Sequence, residues 1–168
     1  LQVKNRNTPL VNYITSDNNK GRCVSSGGDY TTNEAKIFYP SLHTYNGKRA
    51  YAELVIYHTN IVGGNDLIIC IPISTSSGTQ QNASNQLSKI IDYAGKMANK
   101  SGEGGNVQGL NFNLNDFIPK KKGFYSYTAT LPYHPCTNCI EYIVYDAATA
   151  SINLSNDVFK KLTSVISS

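Results

Sequence analysis

Histidine and cysteine are the side chains best able to hold a metal or attack a bond, and this chain has few of them. The histidines are His43, His58 and His134; the cysteines are Cys23, Cys70, Cys136 and Cys139. Their densest grouping is His134-x-Cys136-x-x-Cys139. Cys-x-x-Cys offers two thiolates to one ion and is a half-site for zinc, but a structural zinc takes four ligands, so His58 or Cys23 would have to complete the set. The same spacing serves thioredoxin-like redox chemistry only inside a βαβ context, which is absent from this sequence. The remaining reading is a loop with free or disulfide-bonded cysteines. Cys23 and Cys136 lie in loop sequence and would pair in an oxidising compartment. Cys70, inside the apolar run 67–73, reads as a buried free thiol.

Lysine supplies the other candidate chemistry. Lys120-Lys121-Lys122 is the only basic run, followed by the Lys160-Lys161 pair, in a chain of net charge +4 and pI near 8.8. Charges this sparse ordinarily form a solvated face; the functional alternative is a polyanion patch for sulfated glycans. No Arg-rich or aromatic-basic segment points to nucleic acid. No apolar run approaches the ~18 residues of a membrane span. No charged-then-apolar leader opens the chain, although the numbering also suits a mature or trimmed chain. Sequons at Asn82, Asn99 and Asn153 are expected by chance in so Asn- and Ser/Thr-rich a sequence.

The elements that must position these groups read as strands first. Asn46-Gly47 is a two-residue hairpin signal, because both residues tolerate positive φ in a type I′ turn. The strand after it spans 49–59, with Ala52, Leu54 and Ile56 on one face and Glu53, Val55 and Tyr57 on the other. Further strands are expected near 1–4, 10–15, 35–39, 67–74, 124–129, 140–145 and 151–154. Pro72 implies a bulge or an unpaired position, and so a strand near a sheet edge. Ser84 is expected to cap a helix over 85–98 with Leu87, Ile90, Ile91 and Ala94 inward; Ser155 is expected to cap another over 156–166. A short helical turn is expected within 113–119. The order lacks βαβ alternation, which predicts a mainly β, α+β fold: one domain, 1–168, with a mostly antiparallel twisted sheet and two peripheral helices.

The hairpin 42–60, Leu-His-Thr-Tyr-Asn-Gly-Lys-Arg-Ala-Tyr-Ala-Glu-Leu-Val-Ile-Tyr-His-Thr-Asn, resembles the central hairpin of the α-class carbonic anhydrases. There a Glu-His-Thr segment leads into a strand Ala-Glu-Leu-His-Leu-Val-His-Trp-Asn. The stretch 125–136, Tyr-Ser-Tyr-Thr-Ala-Thr-Leu-Pro-Tyr-His-Pro-Cys, is similar to the family's Tyr-x-Tyr-x-Gly-Ser-Leu-Thr-Thr-Pro-Pro-Cys. The likeness runs from about residue 30 to 164. The family's Ser-Pro-Ile-x-Ile opening and its last strands have no match, so the resemblance implies a domain shortened at both ends.

The family's catalysis uses three imidazoles to hold Zn²⁺ and lower the pKa of its bound water. Two come from a His-x-His strand, yet no histidine precedes His43; the third position is Val55. The family's Glu-Thr pair that orients the hydroxide falls on Leu42 and Pro132. The resemblance therefore implies a pseudoenzyme without catalytic residues, cofactor or metal. Glu53, His43 and Tyr127 match the trio behind the zinc and would persist as a buried polar cluster. The expected role is a binding or structural module working with other protein chains of an assembly, such as a viral particle or an extracellular surface. The Asn/Ile/Lys/Tyr-rich composition, suited to an AT-rich genome, fits that setting. The alternatives are a glycan-binding attachment protein and a carbonic anhydrase with an atypical metal site.

Overall fold

Strand alternation in the middle of the chain builds two cores, one on each side of a single sheet. The computed structural model describes residues 2–4, 10–13, 28–61, 63–75, 81–97, 107, 114–119, 123–133, 136 and 139–167. Its strands are β1 (Gln2–Lys4), β2 (Leu10–Tyr13), β3 (Gly28–Phe38), β4 (Thr44–Tyr45), β5 (Lys48–Arg49), β6 (Ala52–Asn60), β7 (Leu67–Ser74), β8 (Phe124–Ala129), β9 (Ile140–Tyr145) and β10 (Ile152–Asn153). The helices are α1 (Gln81–Met97), α2 (Ala147–Ala150) and α3 (Asn156–Ser167), with a 3₁₀ turn at Leu114–Phe117. The sheet runs β1-β3-β6-β7-β9-β8; β2 also pairs with β3, and β10 with β7. The β7–β9 and β7–β10 pairings are parallel and the others antiparallel. The fold is thus the sheet-rich, mixed α+β arrangement expected of a shortened carbonic-anhydrase-like domain.

Residues 52, 54 and 56 of β6, with Ile69, Ile71 and Ile73 of β7, fill the first core. Ala83, Leu87 and Ile91 of α1 and Leu162 of α3 close it from outside. Val55, Ile68, Cys70, Tyr142 and Val144 form the second core on the opposite face. That core is capped by the β4–β5 hairpin and the segment after β8, through Leu42, Tyr45 and Tyr133. The period-2 pleat makes one strand serve both sides.

Four local expectations are corrected. β7 is a central strand, not one near an edge. Pro72 is tolerated because the β9 ladder ends at Cys70 and the β10 ladder begins at Ile73, leaving that side unpaired at 72. Ser84 does not cap α1, which starts at Gln81; its hydroxyl accepts the Asn153 amide at 3.1 Å and ties β10 to the helix. β3 starts at Gly28 rather than 35, held on its far side by β2 and continued past a bulge between Thr31 and Glu34. The one-turn helix α2 was not expected; Asp146 caps it by accepting the Ala148 amide. Ser155 does cap α3, accepting the Val158 amide at 3.3 Å.

Candidate functional site

The hairpin places the site. Asn46 (φ 50°) and Gly47 (φ 76°) take the left-handed conformations a type I′ turn requires, and Thr44–Arg49 and Tyr45–Lys48 pair around them. Ser41 fastens the hairpin base: its hydroxyl accepts the Ala50 amide at 2.9 Å and donates to the His43 carbonyl at 2.6 Å. The Arg49 guanidinium donates to the Ser41 carbonyl. This folds residues 42–45 back over Glu53 at the start of β6.

Glu53, with no exposed surface, collects four donors. Its Oε2 accepts the amides of Leu42 (2.8 Å) and His43 (3.3 Å). Its Oε1 accepts His43 Nδ1–H (2.8 Å) and the Tyr45 hydroxyl (2.7 Å). A carboxylate only accepts, so Nδ1 carries the imidazole proton and Nε2 accepts from the Tyr127 hydroxyl. The Tyr127 ring stacks on Tyr142, with centroids 4.8 Å apart, and Tyr142 donates to the Thr130 carbonyl at 2.6 Å. Burial and then the Glu53 carboxylate push the Tyr45 hydroxyl far above its ordinary range; burial, with the nearby Cys70 and Glu53, does the same to Tyr127. Both remain donors. The structure thus brings Glu53, His43 and Tyr127 into one relay. Tyr45 belongs to it too, and was missed because its reach back to Glu53 depends on the hairpin's closure.

Cys70 is a fully buried free thiol, held protonated by burial and then by Glu53. Donor atoms of His43, Glu53 and Cys70 all lie within 4.8 Å of one another. An ion there would compete with the hydrogen bonds that Glu53 and His43 already make.

Val55 faces the second core, and its ladder partners are Lys36 on β3 and Cys70 on β7. The Lys36 ammonium lies 3.3 Å from the Tyr133 ring centroid and 3.6 Å from a Glu34 carboxylate oxygen. Phe38 stacks with Tyr133, the ring centroids 6.4 Å apart. Leu42 packs against the same core, while Pro132 is exposed. Tyr57 also lies against this core and donates to Asp66, but Tyr39 does not: it contacts Phe159 of α3. Lys36 and Tyr133 as a pair were not foreseen. The alternation of β3 held the signal, but only the register places Lys36 opposite Val55.

His58 lies on the side of β6 opposite Val55. It is buried, its Nδ1–H donates to the Ile56 carbonyl (3.0 Å), its ring meets Tyr30 edge-on, and burial pushes its pKa down to about 4. Cys136 is free and Cys139 disulfide-bonded, so the expected pairing of Cys136 is corrected. The zinc reading of His134, Cys136 and Cys139 falls with it, because a disulfide sulfur has no thiolate to give; His134 itself lies outside the described residues. Lys160 and Lys161 line a groove of about 590 Å³ between α1 and α3 together with Lys96, and Lys161 pairs with Asp92 at 2.6 Å. Lys120, Lys121, Lys122, Cys23 and the sequon at Asn99 lie outside the described residues, whereas Asn82 and Asn153 are described, in α1 and β10.

No curated protein matches the chain at a significant level. Among solved structures, the α-carbonic anhydrase of Aspergillus oryzae aligns with a TM-score of 0.67 at 17% identity, covering 83% of this chain and 56% of that one. The α-carbonic anhydrase of Thermovibrio ammonificans, in complex with sulfanilamide, gives 0.66 at 20%, covering 99% and 74%. The Chlamydomonas reinhardtii carbonic anhydrase, in complex with acetazolamide, gives 0.67 at 17%, covering 83% and 56%. The chain therefore spans little more than half the length of two of these neighbours. At such identities they establish the fold. The eukaryotic-type carbonic anhydrase model matches residues 25–168, and with that match over most of its length the chain belongs to the eukaryotic-type carbonic anhydrase family.

Proposed function

We propose that this chain is a non-catalytic binding or structural module on a carbonic anhydrase framework, working beside other chains in an assembly such as a particle or surface layer. The observation that carries the reading is the ladder pair of Lys36 and Val55. Val55 stands where the family's third zinc-binding histidine is expected, and it offers hydrocarbon. Lys36 opposite it has no acceptor lone pair when charged, and its ammonium opposes a dication in the same space. β3 carries no histidine in any register. His43 is engaged by Glu53 and Tyr127, and His58 faces the other core. Leu42 and Pro132 bring neither carboxylate nor hydroxyl to orient a hydroxide. These residues do not fit a three-imidazole zinc, and no hydration step is derived through one.

A second reading rests on the proximity of His43, Glu53 and Cys70, a donor set that suits zinc if their hydrogen bonds yield. Elemental analysis and stopped-flow CO₂ hydration on protein purified with zinc present test both. The expected result is no stoichiometric zinc and hydration at the uncatalysed rate. One zinc per chain with chelator-sensitive hydration overturns the proposal. Zinc without hydration, lost in Cys70→Ser, favours the second reading and leaves the non-catalytic role standing.

A further inference from the structure

Helices α1 and α3 pack over the first core, and the groove between them has a volume of about 590 Å³. Its walls include Asp92, Gly95 and Lys96 of α1 and Lys160, Lys161 and Ser164 of α3. Gly95 brings no side chain into it; a Cβ there would meet Lys161 Cβ at 4.0 Å. Three ammonium groups and one carboxylate line the groove, a net charge of +2. The Lys161 ammonium holds Asp92 at 2.6 Å, but these side chains are 53% and 43% exposed, and an exposed pair of this kind is weak. Among the described residues no carboxylate pairs with Lys96 or Lys160. Two helices distant in sequence therefore bring cations to both walls of one concavity, and a cleft lined by one sign of charge concentrates the field that draws anions. The volume equals roughly twenty waters at about 30 Å³ each, more than a single phosphate group fills.

We propose that the α1–α3 groove is a binding site for an oxyanion carrying two or more phosphate or sulfate groups. Lys96 and Lys160 meet it from the two walls through charge-assisted N–H···O bonds, and the Ser164 hydroxyl donates to one of its oxygens. Lys161 turns from Asp92 to the ligand, as a weak surface pair allows. The concavity favours a discrete molecule or a narrow chain over a bilayer, whose flat surface cannot follow both walls. Lys96 escapes a reading of the sequence for basic runs, because only helix packing brings it to the Lys160-Lys161 pair. The groove lies on the face of the sheet opposite Val55 and Lys36, so it stands or falls independently of the non-catalytic reading.

Isothermal titration calorimetry at about 50 mM salt, where surface charges are lightly screened, measures the affinity of the intact chain for tripolyphosphate. We expect one ligand per chain and binding of orthophosphate weaker by roughly tenfold or more. A trisulfated disaccharide titrated in parallel distinguishes sulfate from phosphate groups, and saturable binding of either supports the site. Lys96→Gln and Lys160→Gln should each weaken binding roughly fivefold, and Asp92→Asn, which removes the competing carboxylate, should tighten it by a similar factor. Thermal midpoints verify that each variant folds. Lys48→Gln in the β4–β5 hairpin is the control of equal charge change and should alter the affinity less than about twofold. An equal loss in Lys48→Gln overturns the proposal, as does an Asp92→Asn variant that binds no tighter. Absence of binding by tripolyphosphate and by the disaccharide at about 10 mM also overturns it, whether or not phosphatidylserine vesicles bind the chain.

Discussion

Glu53 can be fully buried because four donors converge on its two oxygens: two amides, an imidazole N–H and a phenol. Removing the carboxylate strands those donors in a site that water does not reach. Each unsatisfied buried group costs about 1–3 kcal/mol, and the penalties overlap because neighbouring groups relax together. Glu53→Ala should therefore lower unfolding stability by about 3 kcal/mol. Tyr127→Phe should cost less than about 1 kcal/mol, since Tyr127 is 37% exposed and water can replace its hydroxyl at His43. Urea titrations of both variants check the order; equal losses would mean that Glu53 is not the hub. At this scale the motif around His43, Glu53 and Tyr127 was legible, because those residues sit in quotable strings of sequence. Tyr45 and Lys36 were not, because their contacts are made by hairpin closure and strand register.

Strand β6 carries both cores on its two faces, and this alternation was readable from residues 52–57 alone. Its C-terminal end adds a titratable group to the helix-covered side. His58 is pushed from the ordinary 6.5 to about 4, chiefly by burial, with backbone carbonyl contacts opposing. The folded state thus binds its proton only near pH 4, while the unfolded chain binds one below about 6.5. Stability from this group is complete above pH 6.5 and is lost as pH falls toward 4, by about 3 kcal/mol at the full difference. The measurement is the urea midpoint against pH for the wild type and His58→Gln. The wild-type curve should fall more steeply between about pH 6.5 and 4, and parallel curves would show that His58 does not titrate as described. Element boundaries were harder to read than faces. Ser84 has a capping residue's chemistry but spends its hydroxyl on β10, and Pro72 breaks a ladder only where a neighbouring strand has already ended. Both depend on partners distant in sequence.

On the scale of the whole molecule, the sheet has one face under α1 and α3 and the other under the hairpin, and the contrast between its two margins is informative. β3 is flanked on its outer side by β1 and β2 along most of its length. At the opposite margin, among the described residues, β8 pairs with β9 alone and exposes Phe124 (42%), Tyr125 (72%) and Tyr127 (37%). A strand edge of this kind carries unpaired backbone donors and acceptors, and proteins ordinarily blunt it with charge or cover it with another segment. β8 bears no charged residue. The assembly role proposed above therefore predicts strand addition here, by a second copy when the protein is alone in solution. Size-exclusion chromatography with light scattering should find a dimer or larger species at about 10 μM, given an edge of this kind. Tyr125→Lys should shift it toward monomer without lowering its thermal midpoint, because that side chain is largely in solvent already. A wild type that stays monomeric and soluble over the whole concentration range would mean that β8 needs no cover, and the case for an assembly would lose its structural footing.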